Sequence, residues 1–267
     1  MSADRGGALA GKRALVTGSS AGIGTAIAER LAADGACVLV HGRREAAARR
    51  VADEIRARGG AADCVVGDLT TDAGAAAVVN AARGVDILVN NSGVYANRSW
   101  SEATPEDWLA LYDTNVVAMV RLIRPLVSAM RERKWGRLIQ LSSGEAQVPF
   151  AFMPDYAATK AAIVNLSVSL AKELAGTGVT SNTVSPGIIV TEGVESFYRG
   201  MAKERGWGDD WRTIEARVLA EVWPCPAGRL GRVEDVAHMV AFLAHPSAGF
   251  CNGANYRVDG GATGCTN

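Results

Sequence analysis

The sequence of 267 residues predicts an α/β fold of the doubly wound class, with a parallel sheet of about seven strands and helices on both faces. Through the first two-thirds of the chain, short runs rich in β-branched residues alternate with alanine-rich stretches of helical length. The apolar runs lack the in/out alternation of a half-exposed strand, so helices are expected to cover both faces of the sheet. Strand–helix alternation also predicts parallel pairing with right-handed crossovers.

The predicted elements follow this alternation along the whole chain. Strands are expected at 12–17, 37–40, 64–66, 86–89, 137–141, 179–184 and 255–258, and helices at 24–33, 45–58, 73–82, 105–133 and 155–175. No linker, repeat or low-complexity segment interrupts the pattern, so residues 1–267 are predicted to form a single domain.

Composition argues against several classes of function. Basic and acidic residues both number 28, whereas a nucleic-acid binder normally shows a basic excess or cluster. The short basic run from Arg131 to Lys134 is interpreted as a solvated helix end. No stretch approaches the roughly 20 apolar residues that a membrane span requires, so neither nucleic acid nor a membrane is expected as a partner.

Two further features indicate a cytoplasmic protein without a bound metal. The segment Met1–Ala10 carries charged residues and lacks an apolar core, so no signal peptide is expected. The five cysteines are scattered and form no CxxC pair, which favours reduced thiols and argues against a disulfide framework or zinc site. The three histidines never occur at ligand spacing and are interpreted as surface or packing residues.

A glycine-rich turn, Gly18-Ser19-Ser20-Ala21-Gly22-Ile23-Gly24, directly follows the first predicted strand and opens the first helix. Side chains would obstruct a sharp turn and the close approach of a dinucleotide pyrophosphate to the backbone. The helix N-terminus adds free N–H groups and the positive end of the helix dipole. The turn therefore predicts a nucleotide site.

The motif Thr17-Gly18-x-x-x-Gly22-Ile23-Gly24 resembles the short-chain dehydrogenase/reductase family, whose domain is a Rossmann fold. Further matches follow in the family's order over about residues 10–261: Asn90-Asn91-Ser92-Gly93 (usually NNAG in the family), Asn115, Ser143, Tyr156-x-x-x-Lys160, Pro186-Gly187 and Asp259-Gly260-Gly261. The overall pattern is similar to that of the 3-oxoacyl-(acyl-carrier-protein) reductases. The resemblance implies an NAD(P)-dependent oxidoreductase acting on CH–OH and C=O groups.

Tyr156 and Lys160 are the candidate proton-transfer pair. Four residues apart on a helix, they share one face, and a neighbouring ammonium is expected to lower the phenol pKa toward the working pH. Ser143 lies thirteen residues before Tyr156 at the end of a strand. By the resemblance it hydrogen-bonds the substrate oxygen; Ser142, the competing assignment, should point to the opposite face of the sheet.

The resemblance implies roles for further residues. Asn115 is expected to hold a helix kink and a water that links Lys160 to solvent, and Lys160 is expected to bind the nicotinamide ribose. The remaining cofactor contacts, beyond Tyr156, are expected from Gly18, Ser20, Gly22, Ile23, Gly24, Arg43, Asp68, Leu69, Asn91, Gly93, Pro186, Gly187, Ile189 and Thr191.

The end of the second strand predicts a preference for NADP(H), with NAD(H) left open. NAD-preferring relatives carry an Asp here that binds the ribose hydroxyls, but this chain has Gly42, followed by Arg43 and Arg44. Basic residues are unfavourable at a helix start, whereas an arginine fork suits a 2′-phosphate. Many NADP-type relatives carry a second basic residue just before the middle glycine, where this chain has Ala21.

The segment at about 191–223 is rich in aromatic residues and is expected to form a mobile lid over an apolar carbonyl or alcohol substrate; permanently packed short helices are the alternative. A carrier-bound acyl substrate stays open. Lys134 could contact an acidic carrier protein, although Thr177 stands where those reductases often have arginine. The resemblance also implies a homotetramer. The competing function is a nucleotide-sensing protein that has kept the fold without catalysis.

Overall fold

The computed structural model describes residues 7–265 and confirms the predicted fold class. Part of the signal-peptide prediction depends on residues 1–6, which lie outside the described range. The central sheet consists of strands β1 to β6 and β9, all parallel, in the order β3-β2-β1-β4-β5-β6-β9. Their bounds are β1 Arg13–Val16, β2 Cys37–Gly42, β3 Ala61–Val66, β4 Ile87–Asn90, β5 Gly136–Leu141, β6 Val179–Pro186 and β9 Asn255–Val258.

Helices cover both faces of this sheet, as expected for strands that are apolar on both sides. Their bounds are α1 Gly22–Ala33, α2 Glu45–Ala57, α3 Asp72–Ala81, α4 Pro105–Tyr112, α5 Ala118–Glu132, α6 Pro154–Glu173, α7 Glu192–Arg205, α8 Trp211–Glu221 and α9 Val233–Ala244. Helices α1, α2 and α9 bury one apolar core against the sheet, and α3, α5 and α6 bury a second core on the other face.

The long helix predicted for residues 105–133 is interrupted. Between α4 and α5 the chain forms one π-helical turn, Asp113–Val117. Such wide turns often occur at functional sites. Here the turn contains Asn115, which is fully buried and forms hydrogen bonds outside its own helix. A hydrophobic pattern of helical period cannot reveal a single inserted residue, so periodicity predicts one continuous helix here, whereas the family resemblance implies a kink at Asn115.

The segment after β6 contains structure that the sequence analysis did not resolve. Strands β7 (Ile189–Val190) and β8 (Gly231–Arg232) form a small separate parallel pair. Helices α7 and α8 enclose a third apolar cluster of their own, built around Tyr198, Ile214 and Val218. Gly206 and Gly208 have positive φ angles of 68° and 83° and connect these helices. The predicted lid is therefore a packed helical unit, and its mobility stays a prediction.

The order of the strands places a crevice at one edge of the sheet. From β1 the chain winds outward through β2 and β3, then returns to β4 and winds in the opposite direction. The loops that follow β1 and β4 consequently diverge at the carboxyl ends of these strands, where open α/β sheets bind ligands. No helix within residues 7–265 is both long and apolar enough to cross a bilayer.

Candidate active site

The glycine-rich turn after β1 is built for close backbone packing. Gly18 has a φ of 62°, and a Cβ atom there would lie 3.0 Å from the Cα of Ser92. A Cβ at Gly24 would lie 2.4 Å from the carbonyl oxygen of Gly18, which no side chain tolerates. The Nδ2 of Asn91 donates to the carbonyl oxygens of Thr17 (2.9 Å) and Gly18 (3.2 Å). The turn and the β4 loop are thus held together without side chains filling the space above them.

His41, at the end of β2, connects this turn to the loop after β3. Its Nδ1 accepts a hydrogen bond from the backbone N–H of Gly18 at 3.0 Å, and Nε2 lies 3.0 Å from the carbonyl oxygen of Gly67. These partners require a neutral imidazole that is protonated at Nε2. Burial lowers the pKa of His41, and this outweighs the opposing effects of the Gly67 carbonyl and Asp68. The interpretation of His41 as a packing residue agrees with its burial but missed this role.

The end of the crevice beside β2 and β3, where the resemblance implies that adenine binds, is polar and exposed. A Cβ at Gly42 would lie 2.8 Å from the Oγ of Ser20, so an acidic residue at position 42 would require Ser20 to move. Arg43 is exposed beside Asp68. Two hydrogen bonds from Thr70 lower the pKa of the Asp68 carboxyl, and the charge of Arg43 lowers it further. Leu69 is buried next to them.

The end of the crevice where the resemblance implies that nicotinamide binds combines the loops after β4, β6 and β9 with the π turn and α6. Gly93 follows β4, and a Cβ there would lie 3.3 Å from Asn115 Oδ1 and 3.4 Å from Lys160 Nζ. Pro186 ends β6, and a Cβ at Gly187 would lie 3.0 Å from the Cα of Asp259. The remaining predicted contacts face the crevice or flank it. Gly22 lies opposite the methyl group of Thr191, which caps α7. Ile189 is buried, and Ile23, in the first turn of α1, packs on the core.

The glycines therefore leave an open cradle along the edge where a dinucleotide would lie. The free N-terminus of α1 adds N–H donors for a pyrophosphate, because its N-cap residue, Ala21, makes no side-chain cap. These residues fit an NAD(P) cofactor in shape and chemistry. Within residues 7–265, no group of three or more His, Cys, Asp or Glu side chains could hold a metal ion.

Strand β5 delivers two serines to opposite sides. The Oγ of Ser142 donates to the carbonyl oxygen of Lys160 at 2.8 Å and is buried under α6. Ser143 instead hydrogen-bonds Tyr156, and its Oγ accepts from the backbone N–H of Glu145 at 3.2 Å. The geometry thus places Ser143, and not Ser142, beside the phenol.

Tyr156 and Lys160 meet on one face of α6, as their spacing predicts. The Nζ of Lys160 lies 5.4 Å from the centre of the Tyr156 ring and donates to the carbonyl oxygen of Leu141 at 3.0 Å. Burial lowers the pKa of Lys160 to about 8. Burial also raises the pKa of Tyr156 to about 12, although the hydrogen bond with Ser143 opposes this.

The expectation that the ammonium would bring the phenol pKa down to working pH is therefore wrong for these protein groups alone. For Tyr156, desolvation outweighs the hydrogen bond with Ser143, because a buried site disfavours the charged form of each side chain. Tyr156 consequently retains its proton at neutral pH, which suits a proton donor.

Asn115 links the π turn to both the β4 loop and α6. Its Oδ1 accepts from the backbone N–H of Val94 and its Nδ2 donates to the Val94 carbonyl, both at 2.9 Å. The Nδ2 also lies 3.1 Å from the Oγ1 of Thr159, which in turn donates to the carbonyl oxygen of Tyr156. Asn115 therefore supports the first turn of the helix that carries the candidate proton donor.

Two polar residues near the site, Glu145 and Tyr95, escaped sequence reasoning, whereas Tyr198 belongs to the aromatic-rich segment predicted as the lid. Glu145, two positions after Ser143, is 7% exposed. The ring of Tyr95 packs edge-on against that of Tyr156, with 6.0 Å between centroids. Burial raises the pKa of Tyr198 on α7 to about 12, and the charge of Tyr95 adds to this rise. Sequence gives no signal for Glu145, because a buried loop glutamate cannot be distinguished from an exposed one.

Comparison with known proteins agrees with this architecture. The family model for short chain dehydrogenase matches residues 12–202. The chain is 40% identical over 256 residues to an uncharacterized oxidoreductase of Bacillus subtilis, covering 95% of this chain and 96% of the relative. It is 37% identical over 254 residues to the 3-oxoacyl-[acyl-carrier-protein] reductase of Vibrio cholerae, covering 95% and 98%.

Among solved structures, the L-sorbose reductase of Gluconobacter frateurii, complexed with NADPH and L-sorbose, superimposes with a TM-score of 0.90 at 35% identity. That match covers 97% of this chain and 99% of the sorbose reductase. Sequence, fold and the order of the motifs lead to one conclusion: the chain belongs to the short-chain dehydrogenase/reductase family and is an NAD(P)-dependent oxidoreductase.

Proposed function

We propose that the enzyme reduces a ketone to a secondary alcohol with NADPH. The observation that carries this proposal is the protonated phenol of Tyr156, hydrogen-bonded to Ser143 and four residues from the buried cation of Lys160. Reduction requires a hydride at the carbonyl carbon and a proton at its oxygen. NADPH, when bound, supplies the hydride.

The protein groups account for the proton. Tyr156 donates its hydroxyl proton to the carbonyl oxygen as general acid, and Ser143 hydrogen-bonds the same oxygen as negative charge develops on it. Lys160 then stabilises the phenolate that remains, since an opposite charge favours the ionised form. The chain of hydrogen bonds from Asn115 through Thr159 holds Tyr156 in register for this transfer.

The test is to mix the purified enzyme and NADPH with each of a panel of ketones. The loss of NADPH absorbance measures the oxidation of the cofactor. If the chain were instead a catalytically silent nucleotide sensor, it would bind the cofactor tightly and turn over none of the ketones. Loss of absorbance that depends on both ketone and enzyme excludes the sensor; binding without turnover across the panel would contradict the proposed reduction.

The preference for NADP(H) rests on Arg43 in this proposal. Arg43→Leu should raise the KM for NADPH by about 10- to 100-fold, the value of one or two charge-assisted hydrogen bonds to a phosphate. The KM for NADH should change little, because NADH lacks the 2′-phosphate. Initial rates with both cofactors measure this effect.

The matched control is Arg50→Leu, which removes an exposed arginine of α2 that is already paired with Glu54. It should leave both KM values unchanged. A wild-type enzyme that is faster with NADH at equal concentration would exclude this role for Arg43. The structure favours changing Arg43 alone, since adding an aspartate at Gly42 would also displace Ser20.

Two kinds of substrate are suggested by the relatives, namely a hydroxylated ketone such as L-sorbose and a carrier-bound 3-oxoacyl chain. Phe150, Phe152 and Trp223 provide the aromatic wall expected for an apolar group, with Phe150 and Trp223 meeting edge-on at 5.1 Å. Lys134 precedes β5, at the opposite end of that strand from Ser143 and roughly 20 Å away. Within one subunit Lys134 therefore does not lie at the entrance to the site, and it gives no support to a carrier-bound substrate.

We also propose a homotetramer, as the family resemblance implies. Met119 on α5 and Ile163 on α6 are buried within the subunit, so these apolar side chains do not form a surface between subunits. Other apolar side chains are exposed instead: Leu109 (72%) before the π turn, and Phe242 (52%) and Phe250 (104%) beside the edge strand β9. Light scattering at micromolar concentration should give four times the chain mass; the mass of a single chain would refute the assembly.

A further inference from the structure

We propose that Glu145 is a specificity-determining residue whose carboxylate binds a hydroxyl group of the ketone substrate. The inference rests on the proposed reduction and names its substrate class: ketones that carry a hydroxyl one or two carbons from the carbonyl. The evidence is the position of Glu145, its hydrogen bonding and the groups around it.

Glu145 lies on the short 3₁₀ turn Gly144–Ala146, directly after the serine that faces the reacting carbonyl. Its backbone N–H donates to the Oγ of Ser143. Its side chain is close enough to Tyr156 for its charge to oppose ionisation of the phenol. The carboxylate therefore lies within electrostatic reach of the proton donor, on the turn that follows Ser143.

The hydrogen bonding of this carboxylate is incomplete. Within residues 7–265, the structure gives it one hydrogen bond, from the backbone N–H of Phe150 to Oε2 at 2.7 Å. Burial raises the pKa of Glu145, and that single bond is what opposes the rise; no cation contributes. A carboxylate accepts about four hydrogen bonds, so with a single protein donor this one has unused acceptor capacity. Its second oxygen is not among the fully buried atoms that lack a partner, so a substrate group can approach it.

A purely structural glutamate is a poor explanation for this arrangement. Its charge disfavours the phenolate that Tyr156 must become, so the residue works against the ionised intermediate. A neutral side chain at position 145 would avoid both this repulsion and the cost of burial. A substrate hydroxyl that donates to Oε1 would offset that cost only while substrate is bound.

The neighbouring groups fit a hydroxylated substrate. Tyr95 places a second phenol against Tyr156, and Tyr198 lies close enough to Tyr95 for their charges to interact. Phenols both donate and accept hydrogen bonds. The rings of Phe150 and Trp223 supply an apolar wall for the C–H groups of the same molecule. The donors and acceptors lie close to the reacting carbonyl, so the recognised hydroxyl lies close to it as well.

The experiment compares two pairs of ketones: 1-hydroxybutan-2-one with pentan-3-one, and 4-hydroxybutan-2-one with pentan-2-one. In each pair a methyl group replaces the hydroxyl. We expect kcat/KM of the wild type to favour at least one hydroxyketone by 10-fold or more, since a site built for a hydroxyl strongly rejects the analogue that lacks it. Glu145→Gln, which keeps an acceptor for Phe150, should reduce this preference about tenfold.

Glu145→Leu should bring the ratio of the two kcat/KM values close to one, by lowering the rate with the hydroxyketone while sparing its alkyl analogue. Glu106→Gln, at an exposed position of α4, is the matched control and should change neither rate. NADPH affinity and the thermal midpoint of each variant show whether it is folded.

The outcomes separate the two proposals. If wild type reduces ketones but prefers neither hydroxyketone to its alkyl analogue, or if both Glu145 variants lower all substrates equally, Glu145 has only a structural role and the inference is wrong. If wild type binds NADPH but reduces none of the ketones, the proposed reduction fails, and the inference fails with it.

Discussion

Tyr156→Phe should lower kcat by at least about a hundredfold while leaving NADPH affinity nearly unchanged. The variant removes the hydroxyl that donates the proton, and loss of a general acid typically costs 10²–10⁴ in rate. The ring, its edge-on contact with Tyr95 and the cofactor cradle remain. Stopped-flow measurement of NADPH oxidation gives the rate, and quenching of protein fluorescence gives the affinity.

Tyr112→Phe is the matched control, because it removes a phenol from α4 outside the catalytic group and should keep wild-type turnover. Ser143→Ala combined with Tyr156→Phe should cost much less than the product of the two single effects, since the two hydroxyls act on one oxygen. Near wild-type turnover in Tyr156→Phe would exclude the proposed mechanism.

Lys160→Met should nearly abolish turnover and at the same time stabilise the cofactor-free protein. Burial lowers the pKa of Lys160 from 10.5 to about 8, a difference worth roughly 3 kcal/mol. The unfolded chain retains this proton between pH 8 and 10.5 and the folded chain does not, so the lysine's destabilising effect is complete below pH 8 and disappears above 10.5. Removing the charge should therefore raise the thermal midpoint at pH 7 by a few degrees, and the gain should vanish near pH 11.

The same pKa predicts a pH profile for catalysis. Reduction requires the charged form of Lys160, so kcat/KM of the wild type should fall as the pH rises through about 8. Lys172→Met is the matched control, at an exposed position on the same helix, and should alter neither the profile nor the activity. Loss of stability at pH 7 in Lys160→Met would show that the lysine's hydrogen bond to Leu141 outweighs the cost of its burial.

The sequence predicts the parts of the site that follow from period and spacing. Alternation along β5 separates Ser143 from Ser142, and the interval of four residues on α6 brings Tyr156 to Lys160. These relations depend on a few neighbouring residues of regular structure, so they can be derived without a fold. The glycine-rich turn is predictable for the same reason, because the constraint it meets is local.

What escaped prediction depends on contacts between distant segments. The π turn at Asn115 is stabilised by Val94 and Thr159, and the raised pKa of Tyr156 comes from burial by the whole site. The burial of Glu145 depends on the turn that brings Phe150 back over it. Each of these is a property of the packed molecule, and no pattern within one segment contains it.

The imidazole of His41 has a consequence for how this sequence can diverge. One ring satisfies an N–H donor from the loop after β1 and a carbonyl acceptor from the loop after β3. An apolar replacement leaves both backbone groups without their partner, at a cost of about 1–3 kcal/mol for each that stays buried. A lysine or arginine can donate to Gly67 but cannot accept from Gly18. A substitution at position 41 therefore requires compensating changes in both the loop after β1 and the loop after β3, which are far apart in the chain. A change in only one of these loops would leave a backbone group of the nucleotide site without its hydrogen-bond partner.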